Sequence, residues 1–155
     1  DFDDPSAIDG QLFRSHLAAL AAGESVEVPV YDFSSHVRTG ETARLGPAEV
    51  VVAEGITLLG RKKVVELLDH SVFIDVPEEI RFERRLRRDM AERGRTEESV
   101  RVQWEASVAP GHDRWVQPFA GVAHSLVSDP TMDELWHLAA DLAAKMASRG
   151  SAHET

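Results

Sequence analysis

The sequence has no cysteine, and its aromatic residues make up only 6% of 155 residues. Without cysteine, neither a disulfide bond nor a thiolate metal site can form. No apolar run approaches the ~20 residues of a membrane-spanning helix. No basic segment followed by an apolar one marks a secretion signal. We therefore expect a protein that does not enter the membrane and that resides in the cytoplasm.

Positive charge is also scarce, because 17 Lys and Arg residues stand against 27 Asp and Glu residues, a formal net charge of −10. General nucleic-acid binding needs a broad basic surface, so we expect no nucleic-acid partner. The seven histidines lack the spacing of metal ligands, which leaves a metal hydrolase without support. Length and composition are ordinary for one globular domain, which we place at residues 1–150, with 151–155 as a tail.

The scarce basic residues are concentrated in one segment, since seven of the 17 lie between Arg81 and Arg95. Arginine suits phosphate because its planar guanidinium donates paired hydrogen bonds and keeps its charge. The turn Glu92–Arg95 would end a helix at Gly94 and place two arginines on a mobile connection, as in a phosphate-clamping lid. A solvated helix face stabilised by pairs four residues apart, such as Arg85 with Asp89, explains the segment equally well.

Local signals predict helices that alternate with strands. Asp9 can cap a helix over Asp9–Ala22, which Gly23 ends. Alternating valines predict a strand over Ser25–Phe33, interrupted at Pro29, and a hairpin or long loop follows over Ser34–Pro47. The β-branched run Glu49–Ala53 is typical of a strand buried on both faces of a parallel sheet.

The second half of the chain continues the alternation. Its predicted elements are a short helix near Arg61–Leu68, a buried strand over Ser71–Asp75, a helix that begins at Pro77, a helix over Glu97–Val108 interrupted by Pro110-Gly111, a strand over Val122–Val127, and a final helix that a Thr131–Glu134 capping box opens and that ends near Arg149. The alternation predicts an α/β fold with a mainly parallel sheet flanked by helices.

Two acidic residues follow predicted strands. In open α/β sheets, ligands bind beyond the carboxyl ends of the strands. Glu54 lies there beside Gly55, where a carboxylate could ligate the magnesium of a nucleotide. A capping or loop role is the alternative for Glu54, and for Asp75 we favour a turn or cap.

Several motifs occur together in a fixed order across roughly Asp1 to Pro118. They are Phe2-Asp3-Asp4-Pro5 with Ile8-Asp9, the segment Val28–Arg38, the segment Val51–Ile56, the segment Val72–Asp75, and Arg84–Asp89 running into Glu92–Arg95. In this order and spacing they resemble the phosphoribulokinase/uridine kinase group of P-loop kinases, and within it the uridine–cytidine kinases.

The resemblance implies a P-loop nucleoside-kinase-like α/β fold with a small β-hairpin insertion that binds the substrate. It implies ATP-dependent phosphoryl transfer to the 5′-hydroxyl of uridine or cytidine, a reaction of pyrimidine salvage. The implied cofactors are ATP or GTP with magnesium, and the implied partners are a nucleoside and a nucleotide, in a homo-oligomer.

The resemblance also assigns residues. Asp3 resembles the carboxylate that binds the ribose hydroxyls, a role that suits a group accepting two hydrogen bonds. Tyr31 and His36 resemble residues that meet the pyrimidine, with His36 at the base edge and Phe33 packed nearby. Hydrophobic packing is the alternative for Tyr31 and Phe33, and a plain loop position for His36.

Further assignments fall on the arginine segment and beyond it. Three polar residues resemble additional nucleoside contacts: Arg85, Arg95 and Gln103. Two others resemble lid arginines on the ATP phosphates: Arg88 and Arg93. Glu54 resembles the acid near magnesium.

The sequence departs from the family pattern in two places. The family's phosphate loop and catalytic aspartate precede the ribose motif, and the printed sequence begins at that motif, so we assign no catalytic residue. The segment Gly55–Lys62 cannot supply the missing loop, because it has the glycine spacing of a phosphate loop but lacks its Gly-Lys-Ser/Thr ending. The second departure is the segment Phe119–His124, which stands where the family has Thr-Lys-x-Tyr-Ala-Asp. This difference puts the contacts with the adenine of the nucleotide in doubt.

Phosphoryl transfer is therefore expected to be incomplete in the chain as given. The chain is either part of a longer protein or covers the gap by dimerising. One alternative function is a non-catalytic nucleoside-binding or interaction protein derived from a uridine kinase. The other is a kinase of the same group that acts on a different small alcohol, which the Tyr-Asp-Phe-x-x-His motif disfavours.

The assignment of His36 gives a first testable prediction. We expect His36→Ala to weaken uridine binding, measured by calorimetric titration, because a base-edge hydrogen bond is lost. The fold should stay intact, since the residue is predicted on a loop. Equal affinity in the variant would remove His36 from the pocket.

Overall fold

The computed structural model describes residues 4–32 and 37–150, with side chains as far as 146. The predicted roles of Asp3, Phe33 and His36 lie outside the described residues. The helices are α1 (Gly10–Ala21), α2 (Lys62–Val65), α3 (Glu78–Arg93), α4 (Glu97–Gln103), α5 (Ala109–Trp115) and α6 (Met132–Gly150). The strands are β1 (Val26–Asp32), β2 (Val37–Leu45), β3 (Val72–Asp75) and β4 (Ser125–Ser128).

Strand β3 pairs with β4 in parallel, with Val72 opposite Ser125 and Asp75 opposite Ser128. Because the helical segments α3 to α5 separate these strands in sequence, the connection is of the crossover kind that parallel pairing requires. The mixed α/β architecture with a parallel sheet and helices is confirmed.

Strand β1 pairs with β2 antiparallel, beginning with Val26 opposite Leu45. The register shifts between Pro29 and Tyr31, where the sequence predicts an interruption because proline has no N–H to donate. Within the segment predicted as a hairpin or long loop, β2 runs without interruption through Gly40, at a φ of 85° that glycine tolerates. That this pair of strands is a substrate-binding insertion stays a prediction.

The predicted buried strand over Glu49–Ala53 is wrong. Residues 46–54 contain no strand, and the side chains of Val50, Val51 and Val52 are 51%, 43% and 86% exposed. A strand forms only where a neighbour completes its backbone hydrogen bonds, and no described strand pairs with this run. High β propensity alone does not supply that partner.

The helical region after Thr96 also differs from the prediction. Instead of ending at Pro110, the chain passes from α4 through a π-helical segment, Trp104–Val108, into α5. The amide of Ala109 donates to the carbonyl of Trp104, five residues back. Proline has no N–H and its ring clashes with the carbonyl four residues earlier, so a widened turn accommodates Pro110 within the helix.

Local signals at the helix ends work as predicted. The carboxylate of Asp9 accepts from the amide of Leu12 at 3.0 Å and caps α1, and Gly23 follows that helix at a φ of 77°. The carboxylate of Glu134 accepts from the Thr131 amide at 2.7 Å, while the Thr131 hydroxyl accepts from the Glu134 amide at 3.3 Å. This is the predicted capping box at the start of α6.

Among the described residues, the core is built from aliphatic and aromatic side chains of several elements. Its buried members are Leu20, Val26, Leu58, Val64, Phe73, Val100, Trp104, Val108 and Ala120. The predicted face of α6 is half-buried at Leu135, Leu138, Leu142 and Met146. In the part of the chain that the structure describes, no helix has the length and apolar character needed to cross a membrane.

Two histidine–serine pairs, which the sequence analysis did not predict, hold together the starts of β3 and β4. The Ser71 hydroxyl lies 2.8 Å from Nδ1 of His124, and the amide of His124 donates to that hydroxyl at 3.2 Å. Nε2 of His70 lies 2.9 Å from the Ser125 hydroxyl, and the two imidazoles stack at 5.2 Å. These bonds fix the parallel register at its first residue pair.

The capping box gives a prediction about stability. We expect Thr131→Ala to lower the Tm by about 2–4 °C, because the amide of Glu134 loses its acceptor at an exposed helix start. Thr131→Ser should keep most of the wild-type Tm, since it keeps the hydroxyl. Equal Tm values for all three proteins in thermal unfolding would show that the box contributes nothing to stability.

Candidate functional site

Helix α3 carries most of the arginine segment, and the turn that follows the helix leads the chain back towards it. Pro77 precedes the helix, and Glu78 and Glu79 lie in its first turn, where negative charge is favourable. Gly94 ends the helix in the left-handed conformation, at a φ of 61°. The amide of Arg95 then donates to the carbonyl of Asp89 at 3.2 Å, so the residue after the turn returns to the last turns of the helix.

The carboxylate of Asp89 is fully buried and is surrounded by guanidinium groups. Its Oδ1 lies 2.8 Å from Arg88 and 3.4 Å from Arg93. Its Oδ2 lies 3.3 Å from Arg95 and 3.6 Å from Arg85. These five residues form what we call the Asp89 cluster.

Gln103 joins the Asp89 cluster to α4. Its side-chain carbonyl accepts from Arg85 at 3.2 Å and also accepts a hydrogen bond from Arg95. Arg95 further donates to the hydroxyl and the backbone carbonyl of Ser99 at 3.1 and 2.9 Å. The two helices are therefore tied together through the same arginines that surround the carboxylate.

The charge state of Asp89 follows from two opposing effects. Burial pushes the pKa of this carboxyl upward, but the hydrogen bond and charge of Arg88, with the charges of Arg85 and Arg93, lower it by more. The net result is a pKa below the ordinary value of 3.8. Asp89 is thus ionised at neutral pH, and four guanidinium charges surround one negative charge.

A cavity of about 370 Å³ opens beside the Asp89 cluster. Its lining residues are Ile56, Arg81, Arg84, Arg85, Arg88, Trp104, Val108, Gly111, His112 and Val116. The apolar walls with a few converging polar groups are typical of a small-molecule site, and the volume lies within the usual range for one. The arginines make it a local positive region in an acidic chain.

His112 lies on α5 in the cavity wall. Its Nδ1 is buried and, within residues 4–32 and 37–146, has no hydrogen-bond partner. The Asp113 carboxylate is 3.7 Å from that nitrogen, which is too far for a hydrogen bond. Burial, and then the charge of Arg81, lower the pKa of His112 against the opposing effect of Asp113. The imidazole is therefore neutral at pH 7.

The structure brings together the predicted residues of the second half of the chain. Arg85, Arg88, Arg93, Arg95 and Gln103 all belong to the Asp89 cluster or contact it. This proximity is what a shared site requires, while the individual roles stay predictions.

The remaining predicted residues do not join that group. Tyr31 lies on β1, and Glu54 is exposed on the segment before α2; neither lines the cavity. Among the described residues, no group of three or more histidines and carboxylates could hold a metal ion. A magnesium role for Glu54 stays a prediction.

The sequence analysis missed Asp89, Arg81, Arg84 and His112 as site residues. One signal for Asp89 was present, since an acid four residues from both Arg85 and Arg93 is placed to neutralise more than one arginine. Arg81 and Arg84 lie three residues apart and so share a helix face with Arg85 and Arg88. Nothing in the local sequence indicates His112, whose position depends on how α5 packs.

Comparison with known proteins relates the chain to one family. The model of the family described as "Phosphoribulokinase / Uridine kinase family" matches residues 1–133. Curated relatives named "Uridine kinase" from Shewanella sp. (strain ANA-3) and Shewanella baltica (strain OS155 / ATCC BAA-1091) are each 44% identical over 127 residues. The relative from Shewanella frigidimarina (strain NCIMB 400) is 43% identical over 127 residues. Each match covers 82% of this chain, and the chain spans 60% of the length of these relatives.

The Asp89 cluster predicts a pH-dependent contribution to stability. We expect Asp89→Asn to lower the free energy of unfolding by about 3 kcal/mol at neutral pH, because the arginines lose the charge that holds them together. The folded-state pKa is depressed, so this contribution is complete above pH 3.8 and is lost as the pH falls through the lower folded-state value. Urea unfolding at several pH values measures it.

Asp69→Asn is the control, because it removes an exposed carboxylate on a loop outside the cluster. It should leave the unfolding free energy within about 0.5 kcal/mol of wild type. A difference between wild type and Asp89→Asn that stays constant from neutral pH into strong acid would contradict the assigned role of the charge.

Proposed function

Because the chain belongs to the phosphoribulokinase/uridine kinase family, we propose that it forms the acceptor-binding and lid part of a nucleoside kinase. The reaction would be ATP-dependent transfer of the γ-phosphoryl group to the 5′-hydroxyl of uridine or cytidine, a step of pyrimidine salvage. The observation that carries the proposal is the Asp89 cluster beside a cavity of about 370 Å³. Phosphoryl transfer relies on positioning and on neutralising charge, and held arginines supply both.

The arginines of the cluster divide into two pairs by exposure. The side chains of Arg88 and Arg93 are 43% and 55% exposed, so they can reach the phosphates of a nucleotide. Those of Arg85 and Arg95 are 18% and 28% exposed, and both donate to Gln103. We assign the first pair to the triphosphate and the second pair to positioning the nucleoside site.

Gln103 has a defined orientation in this arrangement. Because its carbonyl oxygen accepts from two arginines, its amide nitrogen, which carries two donors, is turned away from them. An amide held in this way can donate to an acceptor atom of a bound nucleoside. The arginines therefore position a neutral contact and also supply charge.

The other acceptor contacts are proposed from the first part of the chain. Asp3 would bind the ribose hydroxyls, and Tyr31, Phe33 and His36 would meet the base from the side of the β1–β2 pair. The relatives that the chain matches are named "Uridine kinase", which supports a nucleoside as the proposed acceptor.

Magnesium is implied by the kinase family and is proposed at Glu54. The ion keeps several waters and is held through one or two carboxylates together with substrate phosphates, so one exposed carboxylate fits this requirement. When bound, the ion would neutralise part of the triphosphate charge. Glu54 would hold it at the start of the segment that leads to Ile56 in the cavity wall.

The division of the arginines can be tested by calorimetric titration of ATP with magnesium and, separately, of uridine. We expect Arg88→Ala to weaken ATP binding about tenfold, since a charge-assisted hydrogen bond is lost, and to change uridine binding by less than about twofold. We expect Gln103→Ala to weaken uridine binding about fivefold with little effect on ATP.

Arg87→Ala is the matched control, because Arg87 lies on the same helix but pairs with Glu83 at 2.7 Å, away from the cluster. It should bind both ligands like wild type. Loss of uridine binding alone in Arg88→Ala would reverse the assignment. A folded chain that binds no uridine would contradict an acceptor site in this part of the protein.

A further inference from the structure

The side chain of Arg61 joins two segments that lie far apart in the sequence. Its Nη2 donates to the carbonyl of Pro5 at 2.6 Å, and the bond is partly buried. Arg61 has no ion pair among the described residues, and the nearby start of α1 carries partial positive charge, which disfavours a cation. The hydrogen bond to Pro5, and not attraction to a carboxylate, therefore holds the guanidinium in place.

Gly10, the first residue of α1, leaves the space that this guanidinium occupies. A Cβ atom at this position would overlap Nη1 of Arg61 and would lie 2.9 Å from its Cζ. The φ of Gly10 is not positive, so the backbone itself does not require glycine here. Glycine at the start of α1 instead allows the close approach of the Arg61 side chain.

The backbone of Arg61 belongs to a segment that is fixed against the core and reaches the cavity. The amide of Arg61 donates to the carbonyl of Leu58 at 3.1 Å, and the amide of Leu58 donates to the carbonyl of Gly55 at 3.2 Å. Thr57 and Leu58 are buried, and Ile56 between them and Gly55 lines the cavity. One end of the link is therefore rigid.

The other end of the link belongs to the motif that resembles the family's ribose-binding segment. Asp4 caps a single turn of 3₁₀ helix, Pro5–Ala7, because its carboxylate accepts from the amide of Ser6 at 2.8 Å. Asp3, to which the resemblance assigns the ribose hydroxyls, is two positions before Pro5 in the sequence. Because consecutive Cα atoms are only ~3.8 Å apart, fixing the Pro5 turn restricts where the Asp3 carboxylate can lie.

We propose that Arg61 is a positioning residue for the ribose of the bound nucleoside. Its guanidinium fixes the turn at Pro5 against the segment that reaches the cavity, and thereby sets where the carboxylate of Asp3 meets the ribose hydroxyls. The inference rests on the proposed function, because the ribose role of Asp3 belongs to that function. It adds Arg61 and Gly10, which the family resemblance does not assign.

Gly10→Ala is the informative variant, because it separates positioning from stability. The added methyl group displaces the guanidinium, which is the flexible end of a long side chain, and leaves the backbone of α1 undisturbed. Alanine is a better helix former than glycine, which offsets the hydrogen bond that Arg61 loses. We therefore expect the Tm of Gly10→Ala to stay close to that of wild type while its affinity for uridine falls.

The test is calorimetric titration of uridine, and separately of 2′,3′-dideoxyuridine, into the full chain. The dideoxy compound has the same base but lacks the two hydroxyls that Asp3 would bind. We expect Gly10→Ala and Arg61→Ala each to weaken uridine binding about threefold to tenfold, the equivalent of one misplaced hydrogen bond. Binding of dideoxyuridine should change by less than about twofold, whereas a purely structural loss would weaken both compounds equally.

Two further variants complete the design. The double variant Gly10→Ala/Arg61→Ala should bind uridine like Arg61→Ala, because the methyl group has no guanidinium left to displace. Weaker binding by the double variant would show that Gly10 acts independently of Arg61 and would overturn the inference. Lys62→Ala is the matched control, since it removes an exposed cation next to Arg61, and it should bind both compounds like wild type.

The outcomes separate this inference from the proposed function. Variants that bind uridine like wild type, or that lose both compounds to the same extent, overturn the inference and leave the proposed function intact. A wild-type chain that binds uridine no better than dideoxyuridine overturns the ribose role of Asp3 together with the inference. A folded chain that binds neither compound overturns the proposed function as well.

Discussion

The carboxylate of Asp89 holds four guanidinium groups at one end of α3, and without it their like charges would drive those side chains apart. The cost of burying this charge is met by ion pairs that carry additional hydrogen bonds, which is the condition for a buried ion pair to persist. Because the left-handed turn at Gly94 returns Arg95 to the cluster, backbone and side-chain geometry depend on each other here. The cavity wall formed by α3 depends in turn on the positions of these arginines.

The cluster also explains how an acidic protein keeps a cationic site. Net charge sets the average potential around the molecule, whereas a ligand in a cavity responds to the groups within a few ångströms. The fully buried carboxylate of Asp89 keeps the arginines close together. Gln103 connects two of them to α4 by accepting their hydrogen bonds. An anion arriving at the exposed side chains of Arg88 and Arg93 therefore meets groups that are already positioned, which reduces the entropy lost on binding.

The sequence predicts those parts of the fold that short-range chemistry determines. Asp9 and the Thr131–Glu134 box reveal helix starts because a cap needs only its own first turn. The strand expected over Glu49–Ala53 fails because a strand needs a partner that its own sequence cannot specify. In the site, the resemblance indicated the arginines, whereas the burial of Asp89 and the placement of His112 are products of tertiary packing. Such features become visible only when the helices are assembled.

The π-helical segment Trp104–Val108 has a consequence for the direction in which α5 faces. In a regular helix each residue advances the side chain by about 100°, so one extra residue in a turn offsets everything that follows by about that angle. Trp104 and Val108, before the end of the widened turn, and His112, after it, all reach the same cavity. The widened turn thus accommodates Pro110 while residues of both helical segments line the wall of one cavity.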